Sequence, residues 1–229
     1  MATIYLSGGA AIYRYAVGTW SDIRDAASGT LTSTAGYSNA IKAFHTPGRG
    51  SNVYYVGRTF YWFDTSGITG TVDFARLRIY GYSNADADAI VVKSDAFSGD
   101  GSTALSILDF NNFDTSTPYS SELTSWTTSD FNQFELNSTA KTDIQNEDAL
   151  IVCVMEYDHD FQDSAPSNAD YDSGAYHDYT GTTYDAHLSV SVATGGTVAT
   201  VNTVAEANVA TIKGVAHANI AEINTVTFD

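Results

Sequence analysis

The feature that most constrains this chain is the alternation of side-chain character along residues 74–80, FARLRIY. Ala75, Leu77 and Ile79 are small or aliphatic, while the positions between them are aromatic or arginine. Successive side chains of a β-strand point to opposite faces, so this pattern predicts a strand with one buried face and with arginines toward water. The aromatic run just before it is also β-prone, and turn residues separate the two. Residues 58–81 therefore predict two strands joined by a turn.

Short β-prone runs separated by Gly, Asn, Asp and Ser recur through residues 1–192. We therefore predict an all-β protein, an antiparallel β-sandwich of jelly-roll type, over this range. Arg76 and Arg78 are expected to reach solvent or a subunit interface. The positions expected to be buried are Leu77, Ile79, Val152, Val154, Leu188 and Val190.

One short helix is expected within this β-rich region, and a second segment could be helical. Residues 137–145 suit a short helix, with Ala140 and Ile144 on one face. Residues 20–27 suit either a helical turn capped by Ser21 or a tucked loop.

Three other segments are expected to be irregular or to lie at an edge. Gly57 is expected to break or bulge the strand at 53–63, because glycine weakens a strand interior. Residues 105–113 are expected to pair at a sheet edge. Residues 158–178 are rich in aspartate and are expected to form a long acidic loop.

Beyond a glycine-rich linker at 193–197, residues 198–229 repeat every eleven residues as VATVNTVAEAN, VATIKGVAHAN and IAEINTVTFD. The spacing resembles that of some coiled coils, but Gly214 and the β-branched residues disfavour a continuous helix. We predict a C-terminal repeat arm of short helical turns and extended pieces. So short an arm cannot bury its own apolar stripe, so it is expected to serve assembly, in a homo-oligomer such as a trimer or on another protein. The predicted interface residues are Val198, Val201, Val209, Ile212, Ile220 and Ile223.

The chain is strongly acidic, since 27 Asp and Glu against 10 Lys and Arg give a net charge of −17. This charge excludes nucleic acid and anionic membranes as expected partners. No run approaches the roughly 20 apolar residues of a membrane span, and residues 1–10 lack the features of a signal peptide. We therefore expect a protein that is made in a cytoplasm and leaves it only within a larger particle. The single cysteine, Cys153, is expected to be a buried, unreactive thiol.

No catalytic motif is present, so the chain is not expected to be an enzyme or to need a cofactor. The five histidines have no zinc-binding spacing. The serine-nucleophile, P-loop and dinucleotide-binding motifs are absent from the sequence.

The region 158–178 nevertheless carries two weak candidate sites. Oxygen ligands at alternating positions are compatible with calcium, although a solvated acidic loop is the simpler interpretation. The calcium candidates are Asp158, Asp160, Asp163, Asp170 and Asp172. Tyrosines of the same region could form a platform for sugar rings, although packing within loops or interfaces is simpler. The sugar-binding candidates are Tyr171, Tyr176 and Tyr179, with Tyr184 a little further along the chain.

The segment 58–81, RTFYWFDTSGITGTVDFARLRIYG, resembles the centre of the DNRLRE-like domain family, which is close to carbohydrate-binding β-sandwich modules. Versions of this domain occur in bacteriophage virion proteins. The resemblance continues through 126–128 (WTT), 131–137 (FNQFELN) and 176–192, and covers about residues 1–192. The tail segments GVAHAN and IAEIN are similar to short repeats near the ends of phage structural proteins.

The resemblance implies a bacteriophage virion structural protein, either a head decoration, a fibre or a tail-associated protein. Such a protein would be assembled in the host cytoplasm, would contact other virion proteins and would be anchored by the arm. Two alternatives stay open: a carbohydrate-binding module that recognises host polysaccharide, and a subunit of a non-viral extracellular filament. The resemblance transfers no catalytic or ligand-binding residue.

Overall fold

Antiparallel β-strands make up about half of the residues that the computed structural model describes, which are residues 1–33, 36–48, 52–167, 170–177 and 183–193. The predicted all-β class is confirmed. The strands are β1 (Ala2–Tyr5), β2 (Gly8–Val17), β3 (Leu31–Ser33), β4 (Tyr37–Pro47), β5 (Asn52–Asp64), β6 (Val72–Ala85), β7 (Ala89–Ser94), β8 (Phe113–Pro118), β9 (Phe131–Glu135), β10 (Ala149–Glu156), β11 (Asp170–Tyr176) and β12 (His187–Val192). The α-helices are α1 (Trp20–Arg24) and α2 (Ser138–Asn146), and shorter helical turns lie at Phe97–Gly99, Ile107–Asn111 and Tyr157–Phe161.

The strands are hydrogen-bonded in the order β1-β12-β6-β11-β4-β5-β10-β7-β8, with β2 beside β5, β3 beside β2 and β9 beside β6. The long strand β6 is the junction of this network. In its first half, Leu77 lies opposite Leu188 of β12 and Phe134 of β9. In its second half, Gly81 lies opposite Ala175 of β11. One strand thus belongs to two groups of partners.

The register predicted for residues 74–80 is confirmed. Leu77 and Ile79 are fully buried, whereas the side chain of Arg76 on the opposite face is 33% exposed. The main core joins the inner face of β6 to side chains of β5, β10, β12 and α2. The other four positions predicted to be buried are also fully buried, and they are Val152, Val154, Leu188 and Val190.

A second core lies on the opposite face of β10. It joins Ile151, Cys153 and Met155 to side chains of α1 and of the helical turns at Phe97–Gly99 and Ile107–Asn111. Both faces of β10 are therefore covered, which explains why all eight of its residues are buried. Burial raises the pKa of the Cys153 thiol well above its usual value. The prediction that Cys153 is buried is confirmed.

The helix predicted at 137–145 is present, and of the two alternatives for residues 20–27 the structure has the helical turn, with a different cap. In α2 the buried residues are Ala140 and Ile144, as predicted. The N-cap of α1 is Thr19 rather than Ser21, since Thr19 Oγ1 accepts a hydrogen bond from the Asp22 amide at 3.3 Å. The carboxylate of Asp22 accepts in return from the Thr19 amide at 3.1 Å, which completes a capping box.

The predicted interruption at Gly57 is wrong, because β5 continues through this residue. A Cβ atom at Gly57 would lie 2.9 Å from the carbonyl oxygen of Ala40 and 3.1 Å from the ring of Tyr13. Glycine therefore serves close packing between β5 and its neighbours rather than a bend.

The predicted edge strand at 105–113 is also wrong. Most of this segment forms the 3₁₀ turn Ile107–Asn111, and the strand at this edge, β8, begins only at Phe113. Ser106 caps the turn by accepting from the Leu108 amide at 3.2 Å, and Asp109 accepts from the Ser106 amide at 2.9 Å. Local capping by polar side chains prevailed over the apolar pattern.

The long acidic loop predicted at 158–178 is wrong as well. Tyr157–Phe161 form a π-helical turn, and Asp170–Tyr176 form β11 between β4 and β6. Lys42 of β4 contacts the carboxylates of Asp170 at 2.8 Å and Asp172 at 3.0 Å. Acidic residues that are typical of a loop are thereby accommodated in a sheet.

Residues 1–193 form one compact unit. The linker beyond Ala193 and the arm at 198–229, with its six predicted interface residues, lie outside the described residues, so these predictions stay predictions. No helix within the described ranges is long and apolar enough to cross a membrane.

Candidate functional site

The outward side of β6 presents a row of planar side chains. Because Leu77 and Ile79 point into the core, Arg76, Arg78 and Tyr80 point to the opposite side. Neighbouring strands add Phe131, Gln133 and Glu135 from β9 and His187 from β12, which lie opposite this row. The row is therefore part of a surface that spans several strands.

Aromatic rings extend this surface, and each ring contacts the next in a continuous series. We call this set of rings the ring face. Its members are Tyr5, Tyr37, Tyr80, Tyr82, Phe131, Tyr176, Tyr184 and His187. They come from β1, β4, β6, β9, β11, β12 and the segment just before β12.

The ring contacts are close and mostly tilted or edge-on. Ring centroids are 4.4 Å apart for Tyr37 and Tyr82, 5.1 Å for Tyr80 and Phe131, and 4.9 Å for Phe131 and His187. Such pairs contribute about 0.5–1.5 kcal/mol each beyond their buried area. The contacts hold the rings in fixed orientations before any ligand arrives.

Parts of the ring face remain open to solvent. Tyr5 is 61% exposed and Tyr37 is 37% exposed, and the other rings are half-buried. The hydroxyl of Tyr80 donates a hydrogen bond to the carbonyl oxygen of Ser129 at 2.6 Å, which fixes the position of that ring. The face thus combines fixed rings with accessible edges.

The two arginines of this surface differ in their partners. Arg76 is paired, since its Nε donates to Glu135 Oε1 at 2.6 Å and its Nη1 donates to Gln133 Oε1 at 2.7 Å. The guanidinium of Arg78 lies over the Phe131 ring at 5.6 Å, and its buried Nε has no hydrogen-bond partner in the described chain.

The predicted sugar-binding tyrosines are divided by the structure. Tyr176 and Tyr184 belong to the ring face, and the ring of Tyr176 lies 5.6 Å from that of Tyr82 and 4.7 Å from that of Tyr184. Tyr171 packs against the main core and stacks on His159 at 4.3 Å, so it lies elsewhere. Tyr179 lies outside the described residues.

Most of the ring face was missed by the sequence reasoning. The alternation in β6 places Tyr80 and Tyr82 on the side opposite the core, and this signal could have found them. The contributions of Tyr5, Tyr37 and Phe131 depend on strand pairing between distant segments, which the sequence does not display.

The five calcium candidates are not brought together. Asp160 pairs with Arg58, and Asp170 and Asp172 share Lys42, as described above for β11. Asp163 accepts a hydrogen bond from Trp20 Nε1 at 3.2 Å. Among the described residues there is no group of three or more His, Cys, Asp or Glu side chains arranged to hold a metal ion. These aspartates, Asp158 included, therefore do not form one site.

A hydroxyl–imidazole pair lies between β4 and the end of β11. Ser38 Oγ and His177 Nε2 are 2.9 Å apart, and the imidazole is fully buried. Burial lowers the pKa of His177 to about 4, and its Nδ1 has no hydrogen-bond partner in the part of the chain described. A nucleophile–base pair needs access to substrate and a base oriented by a third group. The geometry here instead favours a structural link between strands.

The described residues define a class: an antiparallel β protein that bears an exposed surface of aromatic rings and arginine. No protein-family model and no curated protein sequence matches the chain.

Proposed function

We propose that this chain is a surface-displayed structural protein of a virion that binds polysaccharide through the ring face. The observation that supports binding is the continuous chain of ring contacts from Tyr5 to Tyr37 across neighbouring strands. A pyranose ring has faces made of C–H groups, which lose contact with water when they stack on an aromatic ring. A row of such rings suits an extended sugar polymer.

The shape of the surface supports a polymer rather than a small molecule. Outward residues of one strand, such as Tyr80 and Tyr82, lie about 7 Å apart along a sheet. Their orientations are held by neighbouring rings, so binding costs little additional ordering of the protein. Gln133 and Glu135 supply polar groups beside the rings for sugar hydroxyls.

The virion part of the proposal rests on the resemblance of residues 58–81 to a domain found in phage virion proteins. The fold that we propose is a jelly-roll sandwich. It is supported by the main core, which β6 and β12 share with β5 and β10. In this proposal, residues 198–229 attach the protein to the particle, through a trimer or by docking on another virion protein.

Binding can be tested with the purified full-length protein on a panel of neutral and acidic polysaccharides, by affinity electrophoresis followed by calorimetry. Tyr82→Ala is expected to weaken binding by about tenfold or more, because it removes one ring of the ring face. A tenfold loss of affinity corresponds to about 1.4 kcal/mol of binding free energy. Tyr15→Ala is the matched control, because Tyr15 is 54% exposed and its ring contacts Tyr55 rather than the ring face. Circular dichroism verifies that both variants are folded.

Two outcomes would overturn the binding proposal. One is the absence of binding to every polysaccharide in the panel. The other is an equal loss of affinity in Tyr82→Ala and Tyr15→Ala, because the ring face would then have no special role.

A further inference from the structure

Arg78 differs from most of the other basic side chains among the described residues of this acidic protein. Among the described residues, five basic side chains each contact a carboxylate within 4.0 Å, and these are Arg24, Lys42, Arg58, Arg76 and Lys93. Within the described chain Arg78 makes no such ion pair, and its buried Nε has no hydrogen-bond partner. The difference is notable because acidic residues outnumber basic ones by 27 to 10.

The position of Arg78 places it at the centre of the outward surface. It lies opposite His187 of β12 on one side and opposite Gln133 of β9 on the other. Residues that face each other across antiparallel strands point to the same side of the sheet. Arg78 is half-buried, and the Phe131 ring lies beside its guanidinium.

His187 supplies a second group at the same place. Its Nδ1 donates to the carbonyl oxygen of Asp185 at 2.9 Å, and its ring contacts Phe131 at 4.9 Å. The hydrogen bond from Nδ1 fixes the ring, so Nε2 lies at the opposite side of the imidazole. A neutral imidazole whose Nδ1 donates has an acceptor at Nε2, so Arg78 and His187 place donors and an acceptor on one aromatic surface.

We infer that Arg78 binds an oxyanion on the polysaccharide, so that the ligand is an acidic sugar polymer. This inference rests on the proposed function and names its substrate class. A guanidinium presents parallel N–H donors that match the oxygens of a carboxylate, sulfate or phosphate group. A half-buried guanidinium whose Nε has no acceptor among the described residues is stabilised when a ligand supplies one.

The contacts of Arg76, on the same strand, explain why Arg78 and not Arg76 serves this role. Arg76 already donates to Glu135 and Gln133, so its donors are occupied within the protein. The net charge of −17 opposes an anionic polymer, but exposed charges farther than about 8 Å are screened at physiological salt. The groups close to Arg78 therefore determine whether an anionic polymer is attracted to this surface or repelled from it.

The test uses three probes with one backbone, namely dextran, carboxymethyl dextran and dextran sulfate, together with the neutral polysaccharides of the panel, at about 0.15 M salt. The full-length protein is expected to bind at least one charged dextran about tenfold more tightly than dextran. Arg78→Gln is expected to remove that difference, and Arg78→Lys to restore part of it. The comparison of the two charged probes distinguishes a carboxylate from a sulfate as the preferred oxyanion.

Arg14→Gln is the control, since Arg14 lies on β2, away from the ring face, and its Nε has no hydrogen-bond partner among the described residues either. It should leave all affinities unchanged. Binding of neutral polymers with no gain from charge would overturn the oxyanion site and leave the proposed function standing. An equal effect of Arg78→Gln on neutral and charged polymers would also overturn it. Failure to bind any polymer would overturn both.

Discussion

Arg58 and Asp160, 102 residues apart in the sequence, form an ion pair in which neither side chain is exposed. Arg58 Nε and Nη2 donate to the two carboxylate oxygens of Asp160 at 2.8 and 2.7 Å. The remaining donors reach the carbonyl oxygens of Phe110 at 2.9 Å and Arg24 at 2.8 Å. The pair thereby joins β5 to α1, to the 3₁₀ turn and to the π-helical turn.

Replacing Asp160 with asparagine should destabilise the protein by about 3–5 kcal/mol, because Arg58 would keep a buried charge without its counter-ion. Urea unfolding followed by fluorescence measures this change. Glu135→Gln is the control, since the Arg76–Glu135 pair is solvent-exposed and such pairs contribute about 0–1 kcal/mol. Equal losses in the two variants would contradict the prediction.

The buried His177 should make stability depend on pH. Its pKa is about 4 in the folded protein against an ordinary value of 6.5. Between these values the unfolded chain binds more protons, so the free energy of unfolding falls as pH drops from 6.5 toward 4, by on the order of 3 kcal/mol. His177→Gln should flatten this slope in urea titrations at several pH values. Parallel curves for the variant and the parent protein would show that His177 is not responsible.

Gly174 lies where β11 shifts its register between Ser173 and Ala175. A Cβ atom there would overlap the carbonyl oxygen of Tyr82, and the Gly174 carbonyl accepts a hydrogen bond from Trp126 Nε1 at 2.9 Å. Gly174→Ala should therefore cost at least about 2 kcal/mol of unfolding free energy.

Gly67→Ala is the matched control for this substitution, because no atom lies within 4 Å of a Cβ placed there. Its effect on the thermal midpoint should be small. If the Gly174→Ala protein were as stable as the Gly67→Ala protein, β11 and β6 could move apart at Gly174 without a loss of stability, and the prediction would be wrong.

Truncation after Ala193 should leave a folded protein, because residues 1–193 form a compact unit with its own cores. The thermal midpoint should match that of the full chain, and polysaccharide binding should persist. Light scattering should show fewer subunits if residues 198–229 drive assembly. An unchanged oligomeric state, or normal incorporation into particles, would show that the arm is not the anchor.

The sequence predicted those elements whose local pattern matches their final environment. The strand around Leu77 was found because one of its faces lies in the core, and α2 was found because Ala140 and Ile144 share one face. β11 was missed because Asp170 and Asp172 resemble loop residues until Lys42 of another strand is beside them. The tertiary environment, rather than propensity, decided that segment.

The candidate site was harder to predict than the fold. Tyr176 was identified, but its ring neighbours come from strands far away in the sequence. The partner of Arg58 likewise depends on which strands are adjacent, as does the lack of an acceptor for Arg78 Nε among the described residues. Such relationships follow from pairing register, which a single sequence specifies only weakly.

The pairing of β1 with β12 has a consequence for the order of folding. Ala2 of β1 lies opposite Val190 of β12. Of the strands described, β1 is therefore synthesised first, and its hydrogen-bonding partner β12 is synthesised last. The first half of β6 also needs β12, which follows it by a long stretch of chain. Closing such long loops is entropically costly, and proteins dominated by distant contacts fold slowly. During synthesis the core on the apolar side of β6 therefore stays incomplete until β12 has been made.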